Sequence, residues 1–343
     1  KQENHRMNLE DVLSLRRYIS NIVNRLPDKL QEHVLREVAV TDRTTERERK
    51  ESLRVFEELR RFPETRYLFD RIILNDDFKK YSADYELIGI GIGAPNANYY
   101  KGSVELPPNL NWGIVNVLEI VKKYSSLPSA ITNDANAAAI GEMIFGAAKG
   151  MKDFIVITLG TGLGSGIVVN GELVYGSDGF AGEIGHTIVD PNGRECGCGR
   201  KGCLETYASA SGIKRTVYEL IGTTNIPSEL RNVSYNQLTA KDIADAANLG
   251  DKLALAAFDH TGKILGLKLA DSVAHLSPEA IILFGGLALA GDLIFVPTKR
   301  YMEEYMLNIF KNKVKLLPSA LPGAHAAVLG ASALIWNELK KTK

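Results

Sequence analysis

Glycine is missing from the first quarter of this 343-residue chain: all 31 glycines lie at or after Gly89. That absence excludes a glycine-rich ligand loop from the opening stretch, because such loops need backbone that approaches a ligand closely or takes a left-handed conformation. Long apolar runs are also lacking. None approaches the roughly 18 residues of a membrane span, and the polar start KQENHRMNLE has no apolar signal core. The expectation is a cytoplasmic protein without a membrane partner. Excess charge is absent too, with 41 Lys and Arg against 41 Asp and Glu. A whole-chain attraction to nucleic acid is therefore not expected. Cysteine is scarce. The three present, Cys196, Cys198 and Cys203, cannot all pair with one another and fall within eight residues. Such clustering points to metal rather than to disulfides.

What is present divides into two styles. The length exceeds a usual single core, so two packed domains are expected. Before Gly89, segments such as LEDVLSLRRYISNIVNRL and RERKESLRVFEELRRF space apolar residues three and four apart among charges, which predicts mainly helix over residues 8–62. The charged run Thr44–Arg61 reads as a solvated helix face rather than a binding surface. From Glu86 onward, short apolar runs end in glycine: LIGIGIGAPN, FIVITLGTGLGSGIVV and AIILFGGLALAG. These predict strands feeding tight loops, interleaved with helices in ANAAAIGEMIFGAAKG and FDHTGKILGLKLADSVAHL. The alternation predicts an α/β fold with helices layered on sheets.

His186, Cys196, Cys198 and Cys203 stand as H-x9-C-x-C-x4-C. Three thiolates and an imidazole complete a closed tetrahedral shell for zinc, and a closed shell is structural rather than catalytic. Glu183 precedes His186 by three residues, and Glu205 follows Cys203 by two. A metal clamp at His186 and Cys203 would fix both carboxylates for a polar ligand; exposed glutamates beside a loop are the alternative. In TNDANAAA, Asn133 and Asp134 stand where an apolar strand meets a small-residue helix. Asp134 could serve as a general base, or either residue could simply cap the helix.

Two glycine loops follow apolar strands. TLGTGLGSG places Gly160, Thr161, Gly162 and Gly164 where backbone amides could cradle phosphate, although the same text suits a plain hairpin. LFGGLA places Gly285 and Gly286 in a strand, double-glycine, helix arrangement. Neither is a Walker loop or a dinucleotide fingerprint.

Taken together, TNDANAAAIGE, TLGTGLGSGIVVNGELVYG, FAGEIGH and CGCGRKGCLE resemble the ROK family of repressors, open reading frames and kinases. The resemblance runs from about Glu86 to the C-terminus and is most like the bacterial glucokinases of that family. It implies an actin-like, hexokinase-type (ribonuclease-H-like) two-domain α/β fold with an atypical helical N-terminal segment. The implied layout is a charged segment 1–84, the rest of an N-terminal α/β domain over 85–140, and a C-terminal α/β domain over 141–343. The last carries the zinc loop 186–203 and a final helix that returns to the N-terminal domain. The resemblance also implies a kinase that uses ATP and magnesium, in which Asp134 deprotonates the sugar 6-hydroxyl for attack on the γ-phosphate. Asn109, Asn133, Glu183, His186 and Glu205 match sugar-binding positions, and self-association is the family expectation. One departure stands out: family kinases begin with an Asp-x-Gly-Gly-Thr phosphate loop, and no glycine precedes Gly89. Two further functions therefore stand beside the kinase: sugar binding without catalysis, and a sugar-responsive repressor.

Overall fold

The α/β alternation expected from Glu86 onward is present in a computed structural model that describes residues 88–107, 113–321 and 326–341. The expected N-terminal helices, the segment 1–84 and Asn109 lie outside those residues. Strand β1 (Ile90–Gly93) pairs in parallel with β5 (Ser129–Thr132). Between them in sequence, β2 (Ala97–Asn98), β3 (Ser103–Glu105) and β4 (Ile114–Asn116) form an antiparallel sheet. Helix α1 (Val117–Tyr124) then leads back to β5. It opens on the Asn116 side chain, which accepts from the Glu119 amide, and carries Glu119 near its start and Lys122 and Lys123 near its end. Both charge placements suit the helix dipole.

Helix α2 (Asp134–Phe145) follows β5 directly and is buried from Ala135 to Glu142. Its alanines reflect how closely it is approached. A Cβ added at Gly93 would meet the Ala137 methyl at 3.3 Å, and one at Gly166 would meet the Ala139 methyl at 2.7 Å. A residue larger than alanine at position 137 or 139 would hold those strands off. The expected domain boundary at residue 140 falls inside α2.

The larger sheet has the order β10-β9-β6-β7-β8. Its centre is β6 (Phe154–Leu159), in which Phe154, Ile155, Val156, Ile157 and Leu159 are wholly buried. Burial on both faces explains why its sequence runs apolar instead of alternating, and each such side chain contributes roughly 1.5–3 kcal/mol. β6 turns into the antiparallel β7 (Leu163–Val169), followed by β8 (Glu172–Leu173). β9 (Ala280–Phe284) pairs in parallel with β6, and β10 (Lys315–Pro318) with β9.

Helices α3 (Ala210–Thr223), α4 (Ala240–Asn248), α5 (Lys252–Leu276) and α6 (Asp292–Tyr305) supply much of the main core beside this sheet. α5 and α6 pack closely through Gly262 and Gly266, where an added Cβ would strike Pro297 and the α6 backbone within 3 Å. The last helix, α7 (Ala326–Lys341), packs on α2, β1 and β5. The contact is at backbone level: a Cβ at Gly91 would lie 1.8 Å from the Ala331 carbonyl oxygen, and one at Gly330 would lie 2.2 Å from that of Ala137. Among the described residues, no helix is long and apolar enough to cross a membrane.

Candidate functional site

The metal quartet is assembled from a loop that folds back on itself. Ile188 bridges Cys203, Glu195 bridges Lys201, and the Val189 amide donates to the Gly202 carbonyl at 2.7 Å. Gly202 takes φ +70°, and a side chain there would collide with the Asp190 carbonyl at 1.6 Å. These turns bring one ligand atom from each of His186, Cys196, Cys198 and Cys203 within 4.8 Å of one another. Cys198 Sγ lies 3.6 Å from Cys203 Sγ, and Cys196 Sγ lies 3.7 Å from His186 Nδ1. A tetrahedral ion with Zn–S bonds of about 2.3 Å and a Zn–N bond of about 2.0 Å has ligand edges of about 3.5–3.8 Å. The donor set suits such an ion and these two edges match it, while the spread of up to 4.8 Å across the quartet would contract on binding.

The three thiols differ in readiness to ionise. Burial pushes Cys196 up to about 12 and raises Cys203. At Cys198 desolvation acts in the same direction, but hydrogen bonds from Arg200 and from the neighbouring thiols prevail and hold it down to about 6. A bound cation would favour all three thiolates.

Glu205 sits in the 3-10 turn Leu204–Thr206, directly after Cys203. Its Oε1 lies 3.4 Å from Cys196 Sγ, and its Oε2 accepts from the Leu163 amide at 3.0 Å. It therefore joins the metal loop to the start of β7. The next residue of β7 touches the helix that carries Asp134: a Cβ at Gly164 would meet the Ala135 methyl at 3.0 Å. Asp134 is the first residue of α2 and Ala135 the second. Glu183 reaches the same place along another path. The Gly182 carbonyl accepts from Ser165 Oγ, and the Ile184 amide donates to that same oxygen at 3.2 Å, so Ser165 on β7 pins both neighbours of Glu183.

Charge reports the convergence. The Glu183 pKa is raised, chiefly by burial; the charges of Asp134 and Glu205 add to that and His186 opposes it. Burial also raises Asp134, against hydrogen bonds from the backbone. Both residues nevertheless expose a substantial part of their surface. Each group is thus flanked by protein on one side and reached by solvent on the other. His186 Nε2 lies 4.0 Å from Glu183 Oε2. Were Nδ1 to bind a metal, Nε2 would carry the proton and stand as a donor beside the Glu183 acceptor.

The other expected residues divide by what their backbone is doing. Asn133 caps α2, its Oδ1 accepting from the Ala135 amide at 2.8 Å. The Gly160 amide donates to the Gly162 carbonyl at 3.0 Å and closes the hairpin loop. The Gly164 amide donates to Thr158 Oγ1 at 3.1 Å, so Gly164 packs rather than offering an N–H. Gly160 and Gly286 border open space, where an added Cβ would meet nothing within 4 Å. The two glycine loops are brought together at Leu159: Gly285, at φ +102°, lies against its backbone, and the Leu287 amide donates to its carbonyl at 3.1 Å. Thr161 is exposed at the hairpin tip, and its carbonyl accepts from Ser211 Oγ at 2.7 Å.

The ROK family profile matches residues 59–338, four fifths of the chain. The chain belongs to the ROK family. The match begins upstream of Glu86, where the sequence resemblance was expected to start. A glucokinase of Halalkalibacterium halodurans is 40% identical over 255 residues, covering 73% of this chain and 76% of the relative. A xylose repressor of Bacillus spizizenii is 33% identical over 251 residues, covering 73% of this chain and 62% of the relative. A ROK glucokinase from Streptomyces griseus, solved with glucose and AMPPNP, superposes with a TM-score of 0.65 at 34% identity over 74% of this chain and 83% of that one. This ROK chain thus has the actin-like, hexokinase-type α/β fold, and its relatives include both glucokinases and xylose repressors.

Proposed function

We propose that this ROK protein binds glucose or a closely related hexose in the acidic cleft and phosphorylates its 6-hydroxyl with ATP. The observation that supports the reading is the electrostatic proximity of Asp134, Glu183 and Glu205, carboxylates from separate elements, the first and last of which act on the charge of Glu183. Carboxylates at this density suit a ring of hydroxyl donors. In this reading Glu183, Glu205, Asn133 and His186 orient the sugar and Asp134 takes the hydroxyl proton. A zinc ion held by His186, Cys196, Cys198 and Cys203 would be structural, since no coordination position remains open. ATP with magnesium would supply the transferable phosphoryl group. Gly160, Thr161 and Gly162 with Gly285 and Gly286 would form its cradle, a role supported by the meeting of the two loops at Leu159.

A second reading, hexose binding without turnover, is favoured by one feature of the sequence: no Asp-x-Gly-Gly-Thr loop occurs in it. Phosphoryl transfer rests on positioning and charge neutralisation, so loss of one phosphate loop would depress the rate with Asp134 intact. Calorimetry with glucose, run beside a coupled assay containing magnesium and ATP, separates the two. Turnover supports the kinase, and binding alone supports the second reading. Absence of hexose binding by zinc-loaded protein would refute both.

A further inference from the structure

Inside the metal loop, two residues before Cys196, lies an arginine that the cleft chemistry does not use. The Arg194 side chain is only 5% exposed. A guanidinium has five N–H donors, and each is satisfied here. Nε donates to Glu219 Oε1 at 2.7 Å; Nη2 donates to Glu219 Oε2 at 2.6 Å and to Thr216 Oγ1 at 2.9 Å. Nη1 donates to the Thr206 carbonyl at 2.6 Å and to that of Gly212 at 3.1 Å. The guanidinium carbon lies 4.3 Å from the centre of the Tyr207 ring. The main chain is held equally: the Arg194 amide donates to the Tyr207 hydroxyl at 3.2 Å, and its carbonyl accepts from the Gly202 amide at 2.7 Å. Gly193 and Gly212 leave room for this packing, since added Cβ atoms would stand 2.2 Å and 2.6 Å from Tyr207.

Glu205 occupies the middle of the turn whose two ends are fixed in different ways. At one end, Cys203 is one of the four candidate metal ligands. At the other, the Thr206 carbonyl is taken by Arg194, while the Thr206 hydroxyl donates to the Cys203 carbonyl at 2.7 Å. We propose that Arg194 is a positioning residue, a guanidinium brace that holds the metal loop against α3 and keeps Glu205 aimed into the cleft with or without the ion. Lysine could not replace it, having three donors and no planar fork. Glu219 is the brace's countercharge, and its side chain is 55% exposed.

The test uses the full chain and three readouts: zinc transfer to a chromogenic chelator, amide exchange of the zinc-stripped protein over residues 196–206, and glucose affinity by calorimetry. Arg194→Lys should release zinc about 10-fold faster and lose protection at the Gly202 amide in the stripped protein. Arg194→Ala should behave alike and regain slow release when guanidinium ion, but not methylammonium, is added. Glu219→Gln, which keeps one acceptor oxygen at a half-exposed position, should accelerate release in the same direction and serves if Arg194→Ala does not fold. Wild-type release and protection in Arg194→Lys and Glu219→Gln would overturn the proposal. The glucose arm rests on the proposed function and should show weaker binding in Arg194→Lys. If wild-type protein binds no glucose, that reading fails while zinc release and amide exchange still decide the brace.

Discussion

Replacing Gly162 with alanine adds one methyl group at the point where the hairpin loop touches Glu205. An ideal Cβ there would stand 2.2 Å from Glu205 Oε2. Ordinary contact requires that oxygen to retreat by about 1 Å, which takes it out of reach of the Leu163 amide that it accepts from at 3.0 Å. The oxygen is the far end of a flexible side chain, so the fold yields cheaply. Gly162 also has no left-handed φ to strain, and removing a glycine contributes about 0.4–1 kcal/mol by narrowing the unfolded ensemble. The perturbation thus moves a carboxylate without damaging the protein. If Glu205 accepts from the sugar as proposed, loss of one charge-assisted hydrogen bond costs about 1.5–3 kcal/mol, roughly a 10- to 100-fold weaker Kd. Calorimetry with glucose in the absence of nucleotide measures this apart from any effect on the phosphate cradle, and a thermal melt runs beside it. The expected pattern is a Tm modestly below wild type, because losing the Leu163 bond to a carboxylate outweighs the glycine contribution, with a much weaker Kd. An unchanged Kd would refute the role of Glu205, and a large drop in Tm would refute the packing argument.

Asp134→Asn should lower turnover by roughly 100-fold or more while sugar affinity changes far less; steady-state rates that survive the substitution would remove Asp134 as the base. Because burial raises its pKa, the acid limb of kcat/KM should lie above the ordinary carboxylate range, with turnover lost as pH falls through that raised value and Asp134 takes up a proton. The same shift fixes a stability sign: the folded protein disfavours the charged form, so stability is lost as pH rises through the raised pKa. Asp134→Asn should therefore melt above wild type at neutral pH, with the gap closing in acid; a gap that widens in acid would contradict it. Protein purified without added zinc should carry about one equivalent per chain by metal analysis. Cys198→Ser should weaken glucose binding by about 10- to 100-fold through the displaced glutamates, and wild-type affinity in that variant would separate the metal from the pocket.

The strands and helices around the cleft were legible because their signals are local. FIVITL is apolar at every position but Thr158 because β6 is covered on both faces, and alanine follows alanine in α2 because neighbours approach it from several sides. The metal quartet was legible because ligand chemistry constrains both residue type and spacing. What the sequence concealed are the contacts between distant positions. Nothing near Gly162 announces that it clears space for a carboxylate about forty residues later, and nothing near Arg194 announces five acceptors on Thr206, Gly212, Thr216 and Glu219. Asn133 could have been a cap or a ligand residue, and its Oδ1 caps α2. Gly164 matched a phosphate loop by composition, yet its amide is directed at Thr158 on the paired strand.

The glycine and alanine seams of α2 have a consequence for how such a protein can change over generations. Where a helix meets its neighbours through methyl groups and bare backbone, there is almost no side-chain volume to trade, and substitutions that enlarge a residue displace the whole rod. Asp134 rides on the end of that rod. Its position is consequently tied to the small size of the residues on either side of the seam. A substitution that enlarges Ala137 or Ala139 should therefore carry Asp134 along with the helix, and be accommodated only where the facing strand at Gly93 or Gly166 shifts with it.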